Sequence, residues 1–250
     1  MNRLSVMRVI AWIMAVSALG FGLFTIVFGM ISPAQEIHAI HNAVVASLLI
    51  VLSAPPAIVV VRAPDRSIRA LVILGAVAIA SLATMALSLT LDPFTLPFAV
   101  LVGTLWVIVP IRQGAFPSGR PSWIMLSMVA AAAVPLVLYA LSQAELQRTD
   151  SSSEHAAFFH WVETSFYAIA VLLLGLLAAL RPAAFRMAGW MAGLALAILG
   201  AASLLMGQYA SAIEVPWSWA ALLGGVAFAA VGAWESRRDL PVARRESGQR

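Results

Sequence analysis

Apolar runs of about 20 residues, each long enough to cross a hydrocarbon layer as a helix, alternate along the chain with short polar clusters. The first covers 9–31 behind a basic start, 1–8. It is longer than the roughly 7–15-residue core of a signal peptide, so it reads as a transmembrane helix. The second covers 37–61 and contains Pro55-Pro56, whose missing backbone donors should kink or loosen it near its inner end. Residues 70–111 are too many for one crossing at about 1.5 Å per residue, and Asp92-Pro93 divides them into spans 70–91 and 94–111. Four more follow, at 122–141, 155–180, 187–209 and 215–234, with the longest polar connection, 143–154, ahead of the sixth. The expected fold class is all-α: a polytopic membrane helix bundle of about eight transmembrane helices.

Charge sets the expected orientation. All basic residues are arginine, and with an inside N-terminus every one of them except Arg148 falls on the inner side. The positive-inside rule then puts both termini in the cytoplasm and leaves an acidic outer face with Glu36, Asp92, Glu145, Asp150, Glu154 and Glu214.

The halves also correspond. Arg62 and Arg181, Arg69 and Arg186, His41 and His160, and the breaks at Asp92-Pro93 and Glu214-Val-Pro216 each recur about 120 residues apart. This predicts two tandem four-helix repeats, 1–112 and 122–234, joined by a Gly-, Pro- and Arg-rich cytoplasmic linker, 113–121. They would be related by an axis along the membrane normal. A charged tail, 235–250, is expected to be disordered. Gly189, Gly193, Ala197 and Ala201, with Gly225, Ala229 and Ala233, recur every fourth residue and predict close helix packing.

Composition narrows the class. The chain is 62% hydrophobic and 10% charged, against roughly 25% charged for soluble domains. The absence of cysteine excludes disulfides, thiolate metal sites and iron–sulfur clusters. The Arg-only, Ala-rich usage points to a bacterial inner-membrane protein. The high pI reflects topology signals beside apolar spans, so nucleic acid is not an expected partner. The expected partners are the lipid bilayer and either a second copy or a membrane-complex subunit.

Candidate chemistry gathers in two stretches, Glu36-Ile-His38-Ala-Ile-His41-Asn42 and His155-Ala-Ala-Phe-Phe-His160-Trp-Val-Glu163, which hold all four histidines. His38 and His41 share a helical face, as do His160 and Glu163. Equivalent positions at the outer ends of the second and sixth spans would face each other. Imidazole and carboxylate suit zinc, copper, iron or nickel, so His38, His41, His160 and Glu163 form the expected transition-metal set. A variant uses His41 and His160 as axial haem ligands. Solvated histidines at a helix end are the plain alternative. His155 falls on the loop side and ranks lower. Glu163, inside a span, needs a partner or a proton, with His160 the nearest candidate.

Two four-helix units with histidines at the outer ends of spans resemble haem A synthase. That resemblance implies bis-histidine haem sites within such halves, and Glu36-Ile-His38 approximates its acidic-then-histidine motif. Here the fourth and eighth spans carry no histidine and the outer cysteine pair is absent. The expected function is an extracytoplasmic-side metal or haem site serving redox chemistry, sensing or metal handling. The alternatives are a small proton-coupled transporter using Glu163 with His160, or a structural subunit of a membrane complex.

Overall fold

The computed structural model describes residues 2–31, 38–109, 120–150, 152–181 and 184–238. Among them every regular element is helical. In chain order these are α1 (Arg3–Ile31), α2 (Ala39–Ser47), α3 (Ala54–Arg62), α4 (Ile68–Ser88), α5 (Leu96–Ile108), α6 (Trp123–Thr149), α7 (Glu154–Ala157), α8 (His160–Leu180), α9 (Arg186–Leu205) and α10 (Val215–Arg238). Seven helices are long and apolar enough to cross a membrane, with α2 and α3 counted as one, Ala39–Arg62. The chain is a multi-pass membrane protein. Glu36, most of the expected linker and residues 239–250 of the expected tail lie outside the described residues.

Two expectations change in detail. The fourth predicted span is α5, an apolar helix of only 13 residues, about 20 Å long and so shorter than the ~30 Å hydrocarbon layer. The turn before it takes up residues the apolar pattern assigned to helix. Leu89 closes α4 in the left-handed region, with φ of 53°, and Asp92 Oδ1 accepts the Phe94 N–H at 2.8 Å. At the other end of the chain, helix continues to Arg238 at the start of the expected tail.

Pro55-Pro56 does not break the second span. The helix widens into a π turn, Leu48–Ser53, immediately before the prolines. Ala54 N–H reaches back to the Leu49 carbonyl, and Ser53 Oγ donates to the Leu48 carbonyl at 2.8 Å. Both bonds span five residues, so the Leu48 and Leu49 carbonyls keep local donors across the widened turn.

Helix α8 is the central element. It is buried nearly all round, from Trp161 to Ala179, and packs on α2, α4, α6 and α9. Its core joins Ile40, Val44, Leu48 and Leu52 of the first half to Phe166, Tyr167, Val171 and Leu174 of the second. The halves therefore share one interior. A second cluster, with Met7, Ala11, Leu71, Leu74 and Leu105, holds α1, α3, α4 and α5 together. α4 packs against α8 of the other half, and α9 packs reciprocally against α2.

The closest helix pair is α9 with α10. A Cβ added at Gly193 would sit 2.6 Å from the Gly225 carbonyl oxygen, and one at Gly200 would meet the Leu222 amide and the Ser218 carbonyl. The contact runs through Gly193, Ala197 and Gly200; Gly189 instead faces Ala178 and Met125. Hydrocarbon supplies no hydrophobic drive between helices, so close backbone approach supplies dispersion in its place. Gly200→Val is expected to destabilise the fold by about 1–3 kcal/mol, read as a lower unfolding midpoint in detergent. Gly103→Ala, where an added Cβ meets nothing within 4 Å, is expected to leave the midpoint unchanged or raise it.

Candidate metal centre

The start of α2 and the α7–α8 corner meet at one end of the bundle, and all four histidines converge there. Ring centroids lie 4.6 Å apart for His38 with both His155 and His160, and 4.8 Å apart for His41 with both. His155 and His160 are 5.7 Å apart. One ring nitrogen from each of His38, His155 and His160 lies within 4.8 Å of the others. His38 and His41 are buried, while His155 and His160 are half-buried at the mouth.

Local folding explains the convergence. On one continuous helix His155 and His160 would point about 140° apart. The helix is broken between them. Ser153 caps α7 by accepting the Ala156 N–H, and α7 ends at Ala157. Phe159 then takes a left-handed conformation, with φ of 63° and ψ of 17°. A bulky residue rarely adopts it, and it costs on the order of 1–3 kcal/mol. This corner turns α8 so that its first residue, His160, faces back toward His155. Trp161 stacks on His155 at 4.8 Å and meets His41 edge-on at 5.3 Å.

Hydrogen bonds fix which nitrogens are available. His41 Nδ1 lies 3.0 Å from Thr164 Oγ1, and the threonine hydroxyl donates its one proton to the His160 carbonyl at 2.8 Å. Thr164 therefore accepts from His41 Nδ1–H. The His41 Nε2 lone pair is left buried, with no hydrogen-bond partner among the described residues. Binding a histidine's other nitrogen in this way orients imidazole ligands. His38 turns Nε2 toward Glu154, 3.7 Å away, while its Nδ1 is buried and unpartnered. His160 Nδ1 is also buried and unpartnered. Three orphaned imidazole nitrogens in one cluster are unusual, because buried polar atoms normally find partners.

The donor chemistry fits a metal ion better than haem. Two imidazoles on one tetrahedral ion place their ring centres about 5 Å apart, given metal–nitrogen bonds of about 2.0–2.1 Å. The observed separations bracket that value. The nitrogens must still close from 4.8 Å to about 3.4 Å, a side-chain adjustment of roughly 1 Å. Axial ligands on opposite faces of a haem need ring centres about 6.3 Å apart with a flat gap between, on similar bond lengths. His41 and His160 are 4.8 Å apart. The pair nearest that spacing, His38 and His41 at 6.4 Å, has His155 and His160 packed against both members. The residues present do not fit the haem version.

Glu163 lies one turn deeper and is buried. Among the described residues it makes no hydrogen bond or ion pair with His160; its electrostatic neighbour is Asp92. Asp92 is fully buried, and its Oδ2 has no hydrogen-bond partner among the described residues. Of the expected ligands, His38, His41 and His160 come together, Glu163 sits apart, and His155 joins.

His38 outside the spans shows the electrostatics. Burial, with His155 adding to it, lowers its pKa from the ordinary 6.5, while Glu154 opposes the shift. A lowered folded pKa gives stability that is present above about 6.5 and is lost as pH falls from there through the folded value. Metal-free protein is expected to lose thermal stability as pH falls below about 6.5, and His38→Gln is expected to reduce that slope. An unchanged slope in His38→Gln would remove His38 as its source. No protein-family model, curated protein or solved structure matches this chain.

Proposed function

We propose that this chain is a bacterial inner-membrane protein that binds a first-row transition-metal ion at its extracytoplasmic end, for metal handling, sensing or redox chemistry. His38, His155 and His160 are the ligands, with His41 behind them as a fourth. The observation that carries this is the convergence of four histidines from two distant segments, three of them with a buried, unpartnered ring nitrogen.

The chain's own residues define what such a site does. Four neutral nitrogen donors suit zinc, copper or nickel and leave the ion's charge uncompensated except by Glu154, whose side chain is 72% exposed at the mouth. Thr164 holds the His41 tautomer. The half-buried His155 and His160 form the side open to exchange. Three ligands facing an open position leave room for a substrate or a partner's ligand, while engaging His41 closes the site. The arginine-rich helix ends lie at the opposite end of the bundle, which supports cytoplasmic termini and an outward-facing site. The reciprocal packing of α4 on α8 and α9 on α2 supports two tandem repeats about an axis between α2 and α8.

Purified protein is expected to carry close to one copper, zinc or nickel ion per chain by elemental analysis. His160→Ala and His155→Ala are each expected to lose it, and Thr164→Val to weaken it about 10–100-fold. Folded protein that takes up no metal would overturn the proposal. Retention by His155→Ala would return the ligand set to His38, His41 and His160.

One observation favours proton-coupled transport as a second reading. Asp92 and Glu163 are neighbouring buried carboxyls, and Ser81 Oγ and Thr84 Oγ1 on α4 are buried without partners among the described residues. A buried carboxyl inside a span is a natural proton carrier. On this reading Glu163→Gln abolishes proton flux in proteoliposomes, and unchanged flux would remove Glu163 from that role.

A further inference from the structure

The second half of the bundle holds a cavity of about 750 Å³ between α6, α8, α9 and α10, separate from the histidine cluster. Its wall is apolar along most of its length, with Met128, Leu172, Leu196 and Phe228 among the side chains that face it. The polar lining residues are Tyr139, Ser142, Gln143, Ser211 and Glu214. They come from the last turns of α6 and the segment before α10, so they share one end. From Gln143 to Met128 along α6 the cavity descends about 22 Å. That exceeds the ~15 Å half-thickness of the hydrocarbon layer.

The mouth is built. Tyr139 donates to the Ser211 carbonyl at 2.6 Å, and Ser211 Oγ donates to Gln143 Oε1 at 2.6 Å. Ser211 itself is held at φ 67°. These bonds pin the α9–α10 connection over the top of α6. They leave the Gln143 amide N–H₂, a donor, and the Glu214 carboxylate without hydrogen-bond or ion-pair partners among the described residues. Among the described residues, no arginine or histidine lines the cavity. Trp217 stands beside Glu214 at the rim, where an indole sits comfortably at headgroup depth.

We infer that this cavity binds one phospholipid with an amine-bearing, zwitterionic headgroup. An acyl chain fills the apolar length, the ammonium meets Glu214, and the Gln143 amide donates to an ester or phosphate oxygen. Polarity at one end alone selects an amphiphile over a wholly apolar ligand. A carboxylate there with no cation beside it selects an amine head over an anionic one. The inference does not rest on the metal site.

Gly224 supplies the test. It lines the cavity, and a Cβ added there meets nothing within 4 Å, so Gly224→Leu narrows the apolar length from a position where the first added atom presses on nothing. Delipidated protein is titrated with phosphatidylethanolamine or phosphatidylglycerol of matched chains, and retained lipid is counted by native mass spectrometry. Wild type is expected to keep one phosphatidylethanolamine, preferred up to about fivefold, as a partly exposed ion pair allows. Gly224→Leu is expected to lower retention of both lipids, and Glu214→Gln to abolish the preference but not retention. Undiminished retention in Gly224→Leu would overturn the site, and equal retention of both lipids by wild type would overturn the headgroup assignment. A wild-type measurement stands beside the variants: phosphatidylethanolamine carrying a mid-chain diazirine should label residues 128–138 and 220–228. Labelling spread over the outer face of α1 instead would equally overturn the inference.

Discussion

Two hydrogen bonds between α2 and α8 hold the arrangement on which the site depends. Tyr167, fully buried, donates to the Ala195 carbonyl of α9 at 2.7 Å, so its oxygen accepts from Ser47 Oγ of α2 at 2.8 Å. Nearer the histidines, six residues back along α2 and three along α8, His41 donates to Thr164. Polar groups in a hydrocarbon layer must find partners within the protein. These four can do so only if α2 lies along α8 in one register. Each such bond contributes only about 0.6 kcal/mol on average. Their effect is specificity: they decide which side chains stand together at the N-terminal ends of the two helices, and those are the histidines.

The π turn belongs to the same constraint. A double proline inside a span leaves carbonyls without their usual donors. Widening the helix ahead of it keeps the second span continuous and its histidine end seated on α8. Phe159 is the complementary device on the other side. One left-handed residue converts an opposed pair, His155 and His160, into a convergent one. The site is made by two local departures from ideal helix, placed on either side of a fixed register.

Much of this was legible in the sequence. Spans follow from apolar length, and the histidine stretches stood out because ionisable groups are scarce in so apolar a chain. The facing of the second and sixth spans came from their spacing of about 120 residues. What was not legible depends on backbone geometry or distant contacts. His155 reads as loop in the sequence because helical periodicity cannot register a break and restart within five residues. Glu163 pointed to His160 by i,i+3 spacing, yet its neighbour is Asp92, which a turn after α4 delivers from the other half. The shortness of α5 was hidden because the residues of the preceding turn, Leu89, Leu91 and Phe94, are as apolar as the helix itself. The cavity beside α6 left no linear signal, since its walls come from four separate helices.

The claim that carries most weight is that these imidazoles share one ion. Electron paramagnetic resonance of the Cu(II)-loaded protein counts the nitrogens bound directly, whatever the ion's role in the cell. Hyperfine structure from at least three equivalent nitrogen donors is expected, and it should disappear with the bound copper in His155→Ala. A spectrum with oxygen donors only, or one that His155→Ala leaves unchanged, would contradict that claim.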